Sequence, residues 1–223
     1  MSSIFSTIFT PANLRFMMVG LGNTIMISIV TILLSLFFGT ILALLRHFCH
    51  GKLKLLAWLS GIYIEFFRCT PNILWILWIR FTIKGDPIVL AVLACTLFTT
   101  AVMAEIIRGG LNGIPKGQFE SAASQGFSFF QTLVYIVLPQ TFKSLIPALL
   151  SQMITVIKDT SFLRVVDIAE FMRNSSVVMG SLQSAPQIIT LYGFIALCYF
   201  IICFSLSCGV RYYQKKSVNT ARS

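Results

Sequence analysis

The stretch GQFESAASQG, Gly117 to Gly126, follows Pro115 and Lys116 and is small and polar. The other long stretches of the chain are Leu, Ile, Val and Phe. Pro115 suits a helix start, and Gly126 suits the left-handed position just after a helix end. Phe119, Ala122 and Ala123 fall on one face at i, i+3, i+4 spacing. A second short helix is expected from Ser128, with Gln131 three residues on as a capping box, stopping before Pro139. Such a segment buries little area in lipid, whereas its small side chains let another backbone approach closely. Docking into a protein groove is therefore the better reading for GQFESAASQG. The greasier FSFFQTLVYIVLP that follows suits the membrane edge.

The composition places this segment in a membrane protein. Of 223 residues, 57% are hydrophobic and 11% charged, against about 25% charged in soluble domains. The net charge of +10 could suggest nucleic acid, but the basic residues sit at the ends of apolar runs, as membrane topology requires. Nucleic-acid binding is excluded on that ground. The six cysteines form no C-x-x-C pair and mostly lie inside apolar runs, as reduced packing residues. His47 and His50 lack further ligand candidates, so no metal site and no catalytic set is expected. The N-terminus has no basic region and no cleavage site, and the apolar run after it is long enough to span.

The expected fold is an all-α membrane protein with five transmembrane helices in a single domain, 1–223. The spans run at about 17–46, 55–81, 87–108, 142–163 and 188–210, with a cytoplasmic loop at 109–141. Arg46, Lys52, Lys54, Arg108, Lys116, Lys143, Arg211, Lys215, Lys216 and Arg222 then fall on the inner side, which places the N-terminus outside. The first span carries Gly20, Gly22, Ser28, Ser35 and Gly39 as a small-residue side for close packing. The second is interrupted at Arg68 to Pro71. The external connection 164–187 should hold one or two short helices.

Glu120-Ser121-Ala122, three residues, Gly126, nine residues and Ile136-Val137-Leu138-Pro139 resemble the signature loop of ABC importer permeases, E-A-A, three, G, nine, I-x-L-P. Ser121 replaces the middle Ala. YIEFFRCTPNIL, AEIIRGGLNGIPKGQFESAASQGFS, VLPQTFKSLIPALLSQMITVIKDTSFL and VVDIAEFMRN are similar to the polar amino acid uptake branch. Cys69 stands at the altered small position of R-G-T-P or R-N-T-P. The resemblance implies a type I importer permease fold in the cytoplasmic membrane of a bacterium. It also implies a coupling helix that enters a cleft of an ATPase subunit, with Gly117, Glu120, Ser121, Ala122, Gly126, Leu138 and Pro139 as the coupling residues. The implied partners are ABC ATPase subunits, a second permease subunit (identical or not), an extracytoplasmic amino-acid-binding protein and membrane lipids.

A zwitterionic substrate needs a cation for its carboxylate and an anion for its ammonium. Ionisable residues at membrane depth are costly and default to pathway or partner roles. Arg68 offers the forked geometry for a carboxylate, and Asp159 or Glu105 could face the ammonium. Thr70, Thr160 and Ser161 could add neutral hydrogen bonds. Lys158 with Asp159 could equally be a neutral pair at a helix end. Glutamine is the expected substrate, with glutamate, arginine, histidine or cystine as alternatives.

No G-x-x-x-x-G-K-[ST] occurs, so this chain is expected to bind no cofactor and Mg-ATP belongs to the partner ATPase. The chain is then a non-catalytic subunit. An ion-gradient-driven secondary transporter is the alternative, but it would be expected to show internal repeats and more spans. An intramembrane enzyme would need a nucleophile–base or metal-ligand set that is not evident here.

Overall fold

The computed structural model describes residues 2–49 and 51–220. His50 and Arg222, and the side chains of Lys52, Lys215 and Lys216, lie outside the described residues. Among the described residues ten α-helices follow in order: α1 (Ser2–Ile8), α2 (Pro11–Phe48), α3 (Lys54–Arg68), α4 (Asn72–Thr82), α5 (Pro87–Asn112), α6 (Lys116–Ser124), α7 (Phe129–Thr132), α8 (Leu138–Asp159), α9 (Phe171–Met179) and α10 (Ala185–Thr220). A π turn, Leu133–Val137, joins α7 to α8, and a 3₁₀ segment, Thr160–Val166, follows α8.

Local chemistry sets the helix starts. Thr10 caps α2 by accepting the Asn13 amide, and Pro11 occupies the first turn, where a missing N–H costs nothing. Asp86 does the same for α5, accepting the Ile88 and Val89 amides at 2.9 and 3.1 Å ahead of Pro87.

Four stretches are long and apolar enough to cross a membrane among the described residues: Pro11–Phe48, Pro87–Asn112, Phe129–Val166 and Ala185–Tyr212. The expected second span is instead two helices. α3 ends at Arg68, and α4 starts after Pro71, which cannot donate a backbone bond and biases the preceding residue away from helix. The Thr70 hydroxyl bridges the break, donating to the Phe66 carbonyl at 2.8 Å and accepting from Trp75 Nε1 at 2.8 Å.

α5 is the central helix, with 61% of its most apolar stretch buried, against 17% for Phe129–Val166 and 11% for the last helix. α2 packs along it. Gly39 lies so close that a Cβ there would meet Met103 Cβ at 2.9 Å and the Thr100 carbonyl at 3.2 Å. Gly20, Ser28 and Ser35 share this buried side as their spacing suggests, whereas Gly22 points away.

Four apolar clusters fill the core among the described residues, one of them the small group of Ile32, Met103 and Val156. Ile8, Met17, Phe171 and Leu191 fill the end beside α9. Ile27, Ile76, Ala94, Phe98 and Leu163 fill the middle. Ala43, Ile107, Leu111, Leu133 and Val137 fill the end that carries α6.

Candidate functional site

The segment from Pro115 to Gly126 forms α6 and its stop, as the spacing predicts. Gly126 has φ +82°. Its amide donates to the Ala123 carbonyl at 3.0 Å, and the Phe127 amide donates to the Ala122 carbonyl at 3.1 Å. These are the two bonds of a Schellman stop. Ser128 and Gln131 then form the reciprocal capping box at 2.8 and 3.3 Å. The helix begun there does not stop before Pro139. The Leu138 amide reaches back to Leu133 in a π turn, so the chain enters α8 with Pro139 in its first turn.

The residues expected to couple to an ATPase divide by exposure. Gly117, Glu120, Ser121, Gly126 and Pro139 are exposed, Leu138 is half-buried, and Ala122 is only 2% exposed. Ala122 and the half-buried Phe119 therefore turn toward the rest of the chain. Phe48 at the end of α2 holds this side, edge-on to Phe119 and to Phe129 at centroid distances of 6.0 and 5.2 Å. The face presented outward is Gly117, Glu120, Ser121 and Ser124.

An ionic hub joins α2, α3 and α5 near the ends of α2 and α5. Glu105 accepts four hydrogen bonds: one from Arg46 at 2.6 Å, and three from Arg108 at 2.9, 3.2 and 2.9 Å. Arg46 also reaches Glu65 on α3 at 3.1 Å. Glu105 is thus committed to two guanidinium groups in this conformation. Arg68 lies near enough for its charge to act on Glu105, yet it is exposed and makes no ion pair or hydrogen bond among the described residues.

The other expected substrate residues end α8. Lys158 is exposed, Asp159 and Ser161 are half-buried, and no ion pair joins Lys158 to Asp159. Thr160 is fully buried and donates to the Ile157 carbonyl at 2.7 Å. Asp159 acts electrostatically on Cys95 of α5. Cys95 and Glu105 are separated by about 15 Å along that helix, so one ammonium group cannot meet both carboxylates. No hydrogen bond or ion pair joins Arg68 or Thr70 to this second set among the described residues.

The sequence reading did not foresee a polar staple at the opposite end. Glu170 is fully buried and caps α9, accepting the Met172 and Arg173 amides at 2.8 and 2.6 Å and the Thr24 hydroxyl at 3.3 Å. Thr24 in turn accepts the Phe171 amide, Asn23 donates to the Ala169 carbonyl, and Asn174 donates to the Phe16 carbonyl. Burial raises the Glu170 pKa, partly offset by those amide bonds. Nearby Asp167 pairs with Arg173 at 2.7 Å, which lowers its pKa. The available signal was the pair Asn23-Thr24 inside an apolar run.

Residues 35–218 match the family described as binding-protein-dependent transport system inner membrane component. The chain belongs to that family. Curated relatives point the same way. The probable glutamine ABC transporter permease protein GlnP of Bacillus subtilis (strain 168) is 34% identical over 91% of this chain and 94% of its own length. The glutamate/aspartate import permease protein GltK of Escherichia coli O157:H7 is 29% identical over 92% and 95%. A solved amino acid ABC transporter, crystallised with histidines, superposes with a TM-score of 0.78 at 24% identity, covering 91% of this chain and 94% of its own. The permease is accordingly a multi-pass inner-membrane subunit of an amino acid ABC importer.

Proposed function

We propose that the permease carries a polar amino acid, with glutamine first in order, in an assembly driven by a separate ATPase. The observation that carries this reading is α6. It is a short helix of small residues closed by a Schellman stop at its C-terminal end, seated by aromatic contacts and presenting a polar face outward. That is a shape for a protein groove rather than for lipid. The partners are ATPase subunits carrying Mg-ATP, a second permease subunit and an extracytoplasmic binding protein.

The α6 end is the cytoplasmic one, because Arg46, Lys54, Arg108, Lys116 and Lys143 gather there. The N-terminus is then outside, and α3 with α4 forms the fifth span across its break. From Phe16 to Ile41 the exposed face of α2 carries no polar side chain, as at Ile29, Leu33 and Phe37, and suits lipid. On α8, Ser144, Ala148, Ser151 and Lys158 are exposed in line, and Thr155 between them is half-buried. A polar stripe of this kind suits a water-filled path, and one chain supplies one wall of it.

Asp159 and Ser161 lie at the end of that stripe and are the residues we assign to the substrate ammonium and side chain; Arg68, whose charge acts on Glu105 instead, is assigned no contact there. Reconstituted with its ATPase and binding protein, the assembly should take up labelled glutamine only with ATP. Asp159→Asn should reduce uptake about tenfold or more. Uptake that persists with an ATPase lacking its phosphate-binding lysine refutes the ATP-driven reading. Unchanged uptake in Asp159→Asn removes the substrate from that site.

A further inference from the structure

We infer that Glu105 is a positioning residue for coupling: with Arg46 and Arg108 it makes the ends of α2 and α5 into one rigid seat for α6. The inference rests on the importer reading above and goes beyond it by naming the joint through which the motion passes.

The placement carries the argument. Arg108 lies one turn before the end of α5 at Asn112, and α6 starts at Lys116. Arg46 lies in the last turn of α2, whose Phe48 holds Phe119 and Phe129. The hub therefore joins both supports of α6. It is also a point where α3 is tied in, through Arg46 and Glu65.

The members of the hub are unequal. The Glu105 side chain is 17% exposed and accepts four bonds, all charge-assisted. The Glu65 side chain is 53% exposed and is held by one bond at 3.1 Å. Glu105 is the fixed member and Glu65 the weakly held one, while α3 stays joined to α5 through the Tyr63 hydroxyl, which donates to the Leu97 carbonyl at 2.7 Å. Half-buried ion pairs are poor devices for stability alone, since apolar side chains of similar size often serve as well. Their better use is to fix one arrangement among several. In Glu105→Gln the amide cannot neutralise two guanidinium groups, so the seat loosens without creating a cavity.

The test is the complex with its own ATPase and binding protein in proteoliposomes, with uptake and ATP hydrolysis measured in the same vesicles. Labelled glutamine is the probe, with a labelled mixture of the common amino acids as a second arm. Glu105→Gln should lower amino acid moved per ATP about tenfold while hydrolysis continues, and Glu65→Gln should change it less than about twofold. The charge exchange Glu105→Arg with Arg108→Glu should recover part of the loss. An unchanged ratio in Glu105→Gln overturns the inference. Uptake and hydrolysis falling together, with a lower melting temperature, also overturns it, because the residue is then only structural. Wild type without ATP-dependent uptake in either arm defeats the importer reading itself, and this inference falls with it.

Discussion

Two glycines, one inside α6 and one just past its end, should respond to the same substitution with opposite signs. Gly126 has φ +82°, and a Cβ there would meet nothing within 4 Å. The cost of Gly126→Ala is therefore purely conformational, about 1–2 kcal/mol for an L side chain in the left-handed region. That cost falls on the state in which the Gly126 and Phe127 amides hold the Ala123 and Ala122 carbonyls. Opening of the stop should rise about 5- to 30-fold. Gly117 also has open space around its Cβ position, but it lies inside α6 without a positive φ. There Ala gains up to about 1 kcal/mol of helix propensity. Hydrogen exchange at Phe127 in the assembled complex reads the first effect. Protection should fall in Gly126→Ala, recover partly in Gly126→Asn, which tolerates the left-handed region, and hold or rise in Gly117→Ala. Amino acid moved per ATP should follow the Gly126 series. Wild-type protection at Phe127 in Gly126→Ala would show that the left-handed glycine is not what ends the helix, and the reasoning fails.

A Cβ at Gly20 would lie 2.8 Å from the Glu170 carbonyl oxygen and 2.9 Å from Asn174 Nδ2, and the backbone there cannot yield. Gly20→Ala should cost about 1–3 kcal/mol and lower the melting temperature in detergent, while Gly22→Ala, with open space, should not; equal effects refute the staple. Glu170 has a raised pKa, so its contribution to stability is full below its unfolded value of 4.5 and is lost as pH rises through the native value. Melting of wild type relative to Glu170→Gln should therefore decline from about pH 4 upward, and a relative gain over that range contradicts the buried carboxyl. The pairing of Asp167 with Arg173 has the opposite sign, lost as pH falls through a lowered pKa, but Asp167 is exposed and its effect should be small.

What was legible in the sequence was what short-range chemistry decides. Gly126 announces its φ, Ser128 with Gln131 announces a cap, and Pro71 announces a broken helix, because each depends on residues within a turn. Pro139 misled for an equally local reason. The expected clash is with the carbonyl four residues earlier, and a π turn moves that carbonyl aside. Periodicity also placed Phe119 and Ala122 together on one face but could not say that the face points inward. That depends on Phe48, 71 residues before Phe119 in the chain. The hub was hidden for the same reason. Arg46 looks like a membrane-flanking charge until α2 and α5 are packed, and its partner Glu105 is 59 residues away.

The two chain connections of α6 differ in stiffness, and this bears on how its displacement is distributed. On one side α6 connects through three residues, Gly113 to Pro115, to α5, which is mostly buried and held by Glu105. On the other side it connects through α7 and the π turn to α8, which is mostly half-buried and contains Pro147. A π turn and an internal proline each interrupt the i→i−4 ladder, and such interruptions are where helices bend. Ser151 donates to the Pro147 carbonyl at 2.9 Å, so part of the polar stripe is attached directly at the proline. A push on α6 therefore meets a fixed element in α5 and a compliant one in α8. Because the polar stripe and Asp159 ride on the compliant element, under the proposed function a displacement of α6 would change the wall of the path while conserving the packing of α2 against α5.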